Sequence, residues 1–275
     1  MRIPIEFWRR WLRAGCLVVP VCALMQAANA RVEAAVQGRS PTTEQKWVDA
    51  WATSYLPTTV NDVRQRVPTF SNQTLRLNMF LKLGGTALRV KLSNRFSTQP
   101  LVIGEAHVAL RRSTNGVARG SEIVPETDHA LTFNGARTLK LEPGKEVWSD
   151  PVDLAVRQHE DLTVSLFLPD KTTPEAFHPV GLKTQFIAPG DHCADASLPS
   201  TGRGSRTTMY FFVSDVQVMA PANSRVIVTL GDSITDGATA AVNANASWPS
   251  RTPFSNVPCK YKAITILRLA LAMPI

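Results

Sequence analysis

The chain has 275 residues, of which 44% are hydrophobic and 19% are charged, and its formal net charge is +8 at pH 7. This length is sufficient for one or two domains with a buried core, and the positive charge is spread without a Lys/Arg cluster among aromatic residues, which argues against a nucleic-acid partner. No C-x-x-C or H-x-x-x-H spacing indicates a metal site, and no cofactor is expected.

Residues 1–30 have the three-part pattern of a secretory signal peptide. Four arginines precede an apolar stretch over residues 14–25, and Ala28-Asn29-Ala30 follows it. The pattern predicts cleavage after Ala30 and a periplasmic or secreted protein. The apolar stretch is too short to span a bilayer, so no stable membrane anchor is expected. Residues 31–46 are polar and are predicted to form a linker.

Two of the four cysteines, Cys16 and Cys22, lie in the predicted signal peptide. Cys193 and Cys259 remain in the mature chain. An exported compartment permits a disulfide between them, but one pair does not make a disulfide scaffold, and the pairing stays open.

Residues 47–220 are predicted to form an antiparallel β-sandwich or jelly-roll-like domain, which makes the chain mainly β. Apolar and polar residues alternate over Leu75–Leu83 and again over Leu88–Leu92, and Gly84-Gly85 lies between them, which predicts a hairpin. The alternation recurs at Leu162–Leu168, and turn residues punctuate the region. The side chains predicted to face the core are Leu75, Leu77, Val90, Leu92, Val164 and Leu166.

A different pattern begins after the predicted joint at Pro221-Ala222-Asn223. Val226–Leu230 is a continuous apolar run, as expected of a parallel strand that is buried on both faces. Residues 224–275 are therefore predicted to be an α/β-type unit. Because no further parallel strand is recognised, this unit is expected either to dock on the β domain as an extra strand or to remain loosely ordered.

The strand runs into Gly231-Asp232-Ser233, a turn that presents one serine. A serine nucleophile must stand clear of the sheet and needs a base that takes its proton. Gly231 allows a sharp turn, and Gly237 permits an unusual backbone angle. An ordinary strand-to-loop turn is an equally good interpretation of these residues alone.

Two other kinds of loop do not fit this segment. A calcium loop that starts at Asp232 would need oxygen ligands where Ile234 and Asn243 stand. A phosphate-binding loop would need a lysine after Gly237, and none is there.

The segment GDSITDG, which spans Gly231 to Gly237 and is followed by Trp248-Pro249, resembles the first sequence block of the GDSL (SGNH) hydrolases. The segments WVDAWATS, NQTLRLNMFLKLGGTALRVKLSNRF and PLVIGEAHVAL resemble the N-terminal β-rich domain of a bacterial exported branch of that family. The resemblance covers roughly residues 47–249. It implies a serine esterase for small acyl esters, with carbohydrate esters as one candidate substrate, and no cofactor.

The resemblance also implies roles for individual residues. Ser233 would be the acylated nucleophile, and its own backbone N–H would be one donor to the oxyanion. Gly231, Asp232 and Gly237 would shape the motif and support the oxyanion hole.

The other sequence blocks of that family lie C-terminal to the serine, where this chain departs from the pattern. No histidine, Gly-x-Asn-Asp or Asp-x-x-His follows Ser233. The five histidines lie upstream, and each is expected to be a surface or structural residue: His107, His129, His159, His178 and His192.

The tail also differs in character, because Pro253 and Pro258 resist the expected helix and no acidic residue follows Asp236. These features predict a truncated or frameshifted hydrolase domain that is inactive, and a divergent C-terminus stays open. A short apolar helix over Lys262–Met273 is also expected. The alternative function is that of a non-enzymatic carbohydrate-binding or structural β module.

Overall fold

The computed structural model describes residues 44–58, 67–113, 120–199, 205–237, 240–251 and 264–270. The predicted signal peptide, most of the predicted linker, Cys259 and the two tail prolines lie outside the described residues. None of the helices in the described part of the chain has the length and apolar character that a membrane-spanning helix needs.

The described chain is built almost entirely from strands. In chain order the first strands are β1 (Gln45–Ala52), β2 (Leu56–Pro57), β3 (Gln73–Phe80), β4 (Leu88–Ser93), β5 (Leu101–Ile103), β6 (Glu105–Leu110), β7 (His129–Ala130) and β8 (Leu139–Leu141). The later strands are β9 (Glu146–Trp148), β10 (Asp161–Leu168), β11 (Ala176–Phe177), β12 (Gln185–Pro189), β13 (Arg206–Thr207), β14 (Val213–Pro221), β15 (Arg225–Gly231) and β16 (Ile264–Ala270). The helical elements are a 3-10 turn (Pro125–Thr127), α1 (Ser233–Asp236) and α2 (Trp248–Arg251).

Two antiparallel sheets dominate the structure. One has the strand order β1-β14-β4-β9, and the other has the order β13-β12-β3-β10-β6-β7. Smaller pairs are β2 with β11, β5 with β8, and β15 with β16. The prediction of a mainly β chain with antiparallel, sandwich-like sheets is confirmed.

The predicted core residues are buried. Directly opposed apolar pairs such as Leu75 with Leu166 and Leu77 with Val164 join β3 to β10, and such cross-strand pairs stabilise a sheet. Both of these pairs belong to the main apolar cluster, which also contains Val90 and Leu92 from β4 of the other sheet. Inward-facing side chains of both sheets therefore share one core.

The predicted hairpin between β3 and β4 is wrong. β3 pairs with β10 and β12, whereas β4 pairs with β14 and β9 in the other sheet. A Cβ at Gly84 would lie 2.7 Å from the Val156 carbonyl oxygen, and one at Gly85 would lie 2.6 Å from that of Met219. The two glycines therefore permit close backbone approach where the chain crosses between sheets, instead of forming a two-residue turn.

The polar face of β3 is also buried, which the alternating pattern did not predict. Arg76 is fully buried, and its Nε donates to Ser165 Oγ at 3.0 Å. Its terminal nitrogens donate to the carbonyl oxygens of Ser121, His192 and Asp195 at 2.8 to 2.9 Å. Arg76 therefore joins two loop segments, one at Ser121 and one at His192–Asp195, to the outer face of the six-stranded sheet.

The four-stranded sheet has an outer face of tryptophan and charged side chains. The Arg89 guanidinium lies 4.7 Å from the ring centroid of Trp47 and 4.6 Å from that of Trp148. Gln217 accepts from Arg89 Nε at 2.9 Å. These cation–π and hydrogen-bonding contacts tie β1, β14, β4 and β9 together across the sheet.

Asp215 is a buried carboxyl group on this sheet. Its Oδ2 lies 3.4 Å from Lys91 Nζ, and Oδ1 has no hydrogen-bond partner among the residues that the structure describes. Burial, with a smaller contribution from the negative charge of Asp49, raises the pKa of Asp215 to about 7, although Lys91 opposes the shift.

Asp215→Asn is expected to stabilise the protein at high pH only. The folded state keeps a proton on Asp215 up to about pH 7, whereas an unfolded aspartate loses it near pH 4. The stability that this group contributes is therefore complete below about pH 4 and is lost as pH rises through about 7. Asparagine stays neutral, so urea unfolding at about pH 8 should show a gain of about 1–3 kcal/mol, after a discount for the lost Lys91 pair.

The matched control is Asp153→Asn, because Asp153 is exposed. It should leave the unfolding free energy unchanged at both pH 4 and pH 8. A difference between wild type and Asp215→Asn that does not vary with pH would contradict the assignment.

Candidate functional site

The turn that carries Ser233 is a single helical turn that directly follows β15. Asp232 is the N-cap residue of this turn, and its backbone is extended. Its Oδ1 accepts a hydrogen bond from the Ile234 N–H at 2.9 Å. Ser233 is the first residue of α1, and its side chain is partly exposed. Asp232 is an ordinary N-cap aspartate, so the strand-to-helix turn is fixed by a local hydrogen bond.

Both motif glycines are required by the geometry of this turn. A Cβ at Gly231 would lie 2.2 Å from Thr235 Oγ1, which is far below contact distance. Gly237 has a φ of 91°, in the left-handed region, and its N–H donates to the Ser233 carbonyl oxygen at 3.0 Å. A Cβ there would also lie 2.5 Å from Ser247 Cβ. Larger residues would deform the turn at either position.

β15 is a parallel strand, but it is not buried on both faces. It pairs in parallel with β16, from Arg225 opposite Ile264 to Gly231 opposite Ala270. Val228 is 52% exposed and Leu230 is 72% exposed. The prediction of two buried faces is therefore wrong, because only one partner strand lies beside β15 in the described structure and no layer covers Val228 and Leu230.

The expected apolar helix in the tail is also wrong, and of the two alternatives for residues 224–275 the structure contradicts docking as an extra strand of the β domain. The Lys262–Met273 helix is replaced over Ile264–Ala270 by strand β16, and this strand supplies the parallel neighbour that was not recognised. Ile264, Thr265 and Ile266 are consecutive β-branched residues, which favour a strand over a helix. β15 and β16 form a separate two-stranded sheet that contacts β1, so they do not extend the β domain's own sheets.

The second aspartate of the motif, Asp236, is paired with a histidine of the β-rich region. Asp236 is the last residue of α1 and is buried. Its Oδ2 lies 3.1 Å from His178 Nε2, and its Oδ1 lies 3.2 Å from the same atom. His178 itself is buried, and its backbone is paired with that of Tyr210. A buried polar contact therefore joins the serine turn to the large β domain.

The other ring nitrogen of His178 is also engaged. Nδ1 lies 3.0 Å from the Ser54 carbonyl oxygen, which can only accept, so Nδ1 carries a proton. The contact of Nε2 with Asp236 then needs a second proton, either on Nε2 or on the carboxylate. His178 is thus held on both sides and acts as a structural link in this arrangement.

Asn243 makes a second link between the serine turn and the β domain. Its N–H donates to the Leu182 carbonyl oxygen at 2.8 Å, and its side-chain oxygen accepts from the Thr184 N–H at 2.9 Å. Its Nδ2 donates to Thr184 Oγ1 at 2.8 Å. The segment that follows the serine turn is therefore fastened to the segment that leads into β12.

Ser233 has no such partner. In the part of the chain that the structure describes, no side chain forms a hydrogen bond with Ser233 Oγ. Three other histidines are engaged elsewhere: His107 binds Glu105 and Asp128, His159 stacks on Phe80, and His192 binds Asp195. The structure thus places the predicted nucleophile at a well-formed turn, and no base among the described side chains is hydrogen-bonded to it.

The described residues contain no group of three or more His, Cys, Asp or Glu side chains that could hold a metal ion. Cys193 is buried, and burial raises the pKa of its thiol. Its proposed partner Cys259 lies outside the described residues.

Sequence reasoning singled out Gly231, Asp232, Ser233 and Gly237 but not Asp236. The only available signal was the position of Asp236 inside the motif, three residues after the serine, which places both on one side of a helical turn. Nothing in the sequence connected it to His178, which lies 58 positions earlier.

Comparison with models of known protein families gives no match for this chain. Comparison with curated proteins gives none either.

His178→Ala is expected to loosen the serine turn. The substitution removes the imidazole partner of the buried Asp236 carboxyl group, and losing a hydrogen-bond partner of a buried polar group costs about 1–3 kcal/mol. Hydrogen exchange should show the loss at the amides of Asp236 and Gly237, which donate within the turn.

The control is His192→Ala, which removes another histidine whose ring contacts an aspartate. It should leave the turn amides protected, and β10 amides should keep their exchange rates in both variants. Unchanged exchange at Asp236 in His178→Ala would contradict the role of this link.

Proposed function

We propose that this chain carries the nucleophile-bearing part of an exported GDSL-type serine esterase that acts on small acyl esters. The observation that supports this proposal is the geometry of the Ser233 turn. A parallel strand ends at Gly231, a capped helical turn begins at Ser233, and Gly237 closes it in a left-handed conformation. The carboxyl edge of a parallel strand pair is where open α/β sheets place their ligands.

The reaction requires Ser233 Oγ to attack the ester carbonyl carbon. The new C–O bond forms as the carbonyl electrons move to oxygen, and the oxyanion collapses to expel the alcohol and leave an acyl-serine. Water then hydrolyses that ester. Ser233 occupies the first position of α1, where a backbone N–H has no partner within the helix and is suited to bind the oxyanion.

Within the described ranges no base lies beside Ser233. The hydroxyl proton must leave Ser233 during attack, and Asp236, a motif residue that could accept a proton, is bound to His178. Loss of a general base costs about 10²–10⁴-fold, and loss of an oxyanion donor costs about 10²–10³-fold. We therefore expect this chain by itself to hydrolyse esters at close to the background rate.

External base provides a test of the proposal. The full chain is incubated with p-nitrophenyl acetate, with and without imidazole, and acetylated peptides are quantified by mass spectrometry. Imidazole should raise acetylation at Ser233 by about tenfold or more, because it supplies a proton acceptor that the described residues do not place beside the serine. The Ser233→Ala variant should show no such imidazole-dependent acylation.

A matched control is Ser97→Ala, because Ser97 is another partly exposed serine. This variant should acetylate at Ser233 as the wild type does. Equal imidazole-dependent acetylation at Ser97 and Ser233, or none at either, would contradict the assignment of Ser233 as nucleophile.

A carbohydrate-binding β module is a second candidate function, favoured by the outer face of the four-stranded sheet. Trp47 and Trp148 flank Arg89 there, and Asp49 and Gln217 add hydrogen-bonding groups. Tryptophan combines a large apolar ring with a polar N–H, which suits contact with a sugar ring and its hydroxyls. On this proposal the β domain would bind glycans whether or not Ser233 reacts.

Affinity electrophoresis in hydroxyethylcellulose tests this second candidate. Trp148→Ala should abolish retardation, whereas Phe96→Ala, which removes an exposed aromatic outside the Trp47–Arg89–Trp148 stack, should not. Absence of retardation of the wild-type chain would remove the support for this function.

A further inference from the structure

A pocket of the β-rich region shares no lining residue with the serine turn or with the Trp47–Arg89–Trp148 stack. Its volume is about 280 Å³. Since a cavity of about 150 Å³ can hold benzene, this pocket has room for a ligand of about eleven non-hydrogen atoms. Its lining comes from the loop between β4 and β5, from the start of β5, from the segment between β10 and β11, and from Phe212 just before β14.

Hydrogen bonds hold the walls of this pocket in place. Glu175, which lines the pocket, accepts from the Thr98 N–H at 2.9 Å and from Thr98 Oγ1 at 2.8 Å, so it joins the β10–β11 segment to the β4–β5 loop. Thr172 and Phe70 exchange two backbone hydrogen bonds of 2.8 Å each. A ligand would therefore meet a preformed pocket, and little ordering of the chain would oppose its binding.

The backbone of Phe212 is strained. Its φ of 62° lies in the left-handed region, which bulky side chains rarely adopt. The Val213 N–H donates to the Phe211 carbonyl oxygen at 2.7 Å, which closes a tight γ-turn around Phe212. The Ser93 N–H donates to the Phe212 carbonyl oxygen at 2.7 Å and helps to hold this conformation. Strained residues of this kind cluster at ligand-binding sites.

The lining combines an apolar surface with free polar groups. Pro100, Leu101 and Phe212 supply the apolar part. Gln99 and Lys171 supply an amide and an ammonium group, and neither side chain has a hydrogen-bond or ion-pair partner among the residues that the structure describes. An apolar lining with a few polar groups that fix orientation is the usual composition of a small-molecule site.

The lining has no net formal charge, because Lys171 is its one cation and Glu175 its one anion. The two side chains do not pair with each other, and in the described part of the chain neither has another ion-pair partner. The Glu175 carboxylate can accept further hydrogen bonds besides those from Thr98. A ligand with one net charge would be opposed by one of these groups, whereas a neutral hydroxyl both donates and accepts and can bind either.

We propose that this pocket binds a single neutral sugar ring. A hexose has about twelve non-hydrogen atoms, which is close to the room available. Its C–H surface would pack on Leu101 and Phe212, and its hydroxyls would accept from Lys171 and donate to Glu175. The site is independent of Ser233 and of the Trp47–Arg89–Trp148 stack, so it can stand or fall apart from either proposed function.

Free monosaccharides are the probes. The full chain is titrated separately with D-glucose, D-galactose and D-mannose, and ¹H–¹⁵N NMR shifts are followed at the amides of Gln99, Leu101 and Lys171. Sodium acetate and L-alanine, at matched ionic strength, are the anionic and zwitterionic controls. At least one sugar should give saturable shifts at these amides, and neither control should do so.

Variants of Lys171 separate a neutral ligand from an anion. Lys171→Met should weaken sugar binding by about tenfold or more, because it removes a charged donor. Lys171→Gln should lose less than Lys171→Met, because its amide still donates to a hydroxyl but carries no charge for an anion. The matched control is Lys140→Met, at an exposed salt bridge, which should bind the sugar as the wild type does.

The absence of saturable shifts with all three sugars, equal shifts with acetate or alanine, or undiminished binding by a folded Lys171→Met would overturn the sugar site. Saturable shifts at these amides in a wild-type chain that hydroxyethylcellulose does not retard would support the site and remove only the second candidate function. Saturable shifts without imidazole-dependent acylation of Ser233 would support the site and remove only the esterase proposal.

Discussion

The apolar layer between the two sheets is the constraint on which the rest of the structure depends. β3 and β10 contribute opposed pairs such as Leu77 with Val164, and β4 and β14 close the layer from the other side. Burial of this kind supplies most of the favourable free energy of a β domain of this size. The serine turn and the tryptophan-lined sheet face lie outside this layer. The positions of their side chains therefore depend on the contacts that join them to the β domain.

Two polar links join the serine turn to the β domain. His178, whose backbone is paired with that of Tyr210, contacts the Asp236 carboxyl group. Asn243 accepts a hydrogen bond from the Thr184 N–H in the segment that leads into β12. A two-stranded parallel sheet is too small to make a core of its own. The turn geometry is therefore maintained by contact with the β domain.

The geometry of the serine turn could be predicted from the sequence because the interactions that form it are local. The turn at Ser233 needs only Asp232 as cap, a glycine before it and one after it, and these lie within a few residues of one another. The partner of Asp236 could not be predicted in this way, because no periodicity relates it to a histidine in a distant loop. The base that Ser233 needs was not recognised in the sequence, and the described structure does not bring one to it.

The sequence by itself determined the mainly β character, the residues that face the core and the form of the Ser233 turn, because alternation and turn chemistry act over short spans. Tertiary structure decided how the strands are assigned to sheets. The pattern around Gly84 and Gly85 predicts a hairpin, but these residues carry the chain from one sheet to the other, at a place where backbone carbonyl groups approach both glycines closely. It also decided the His178–Asp236 and Asn243–Thr184 links, because each joins residues that are far apart in the chain and meet only when the loops pack.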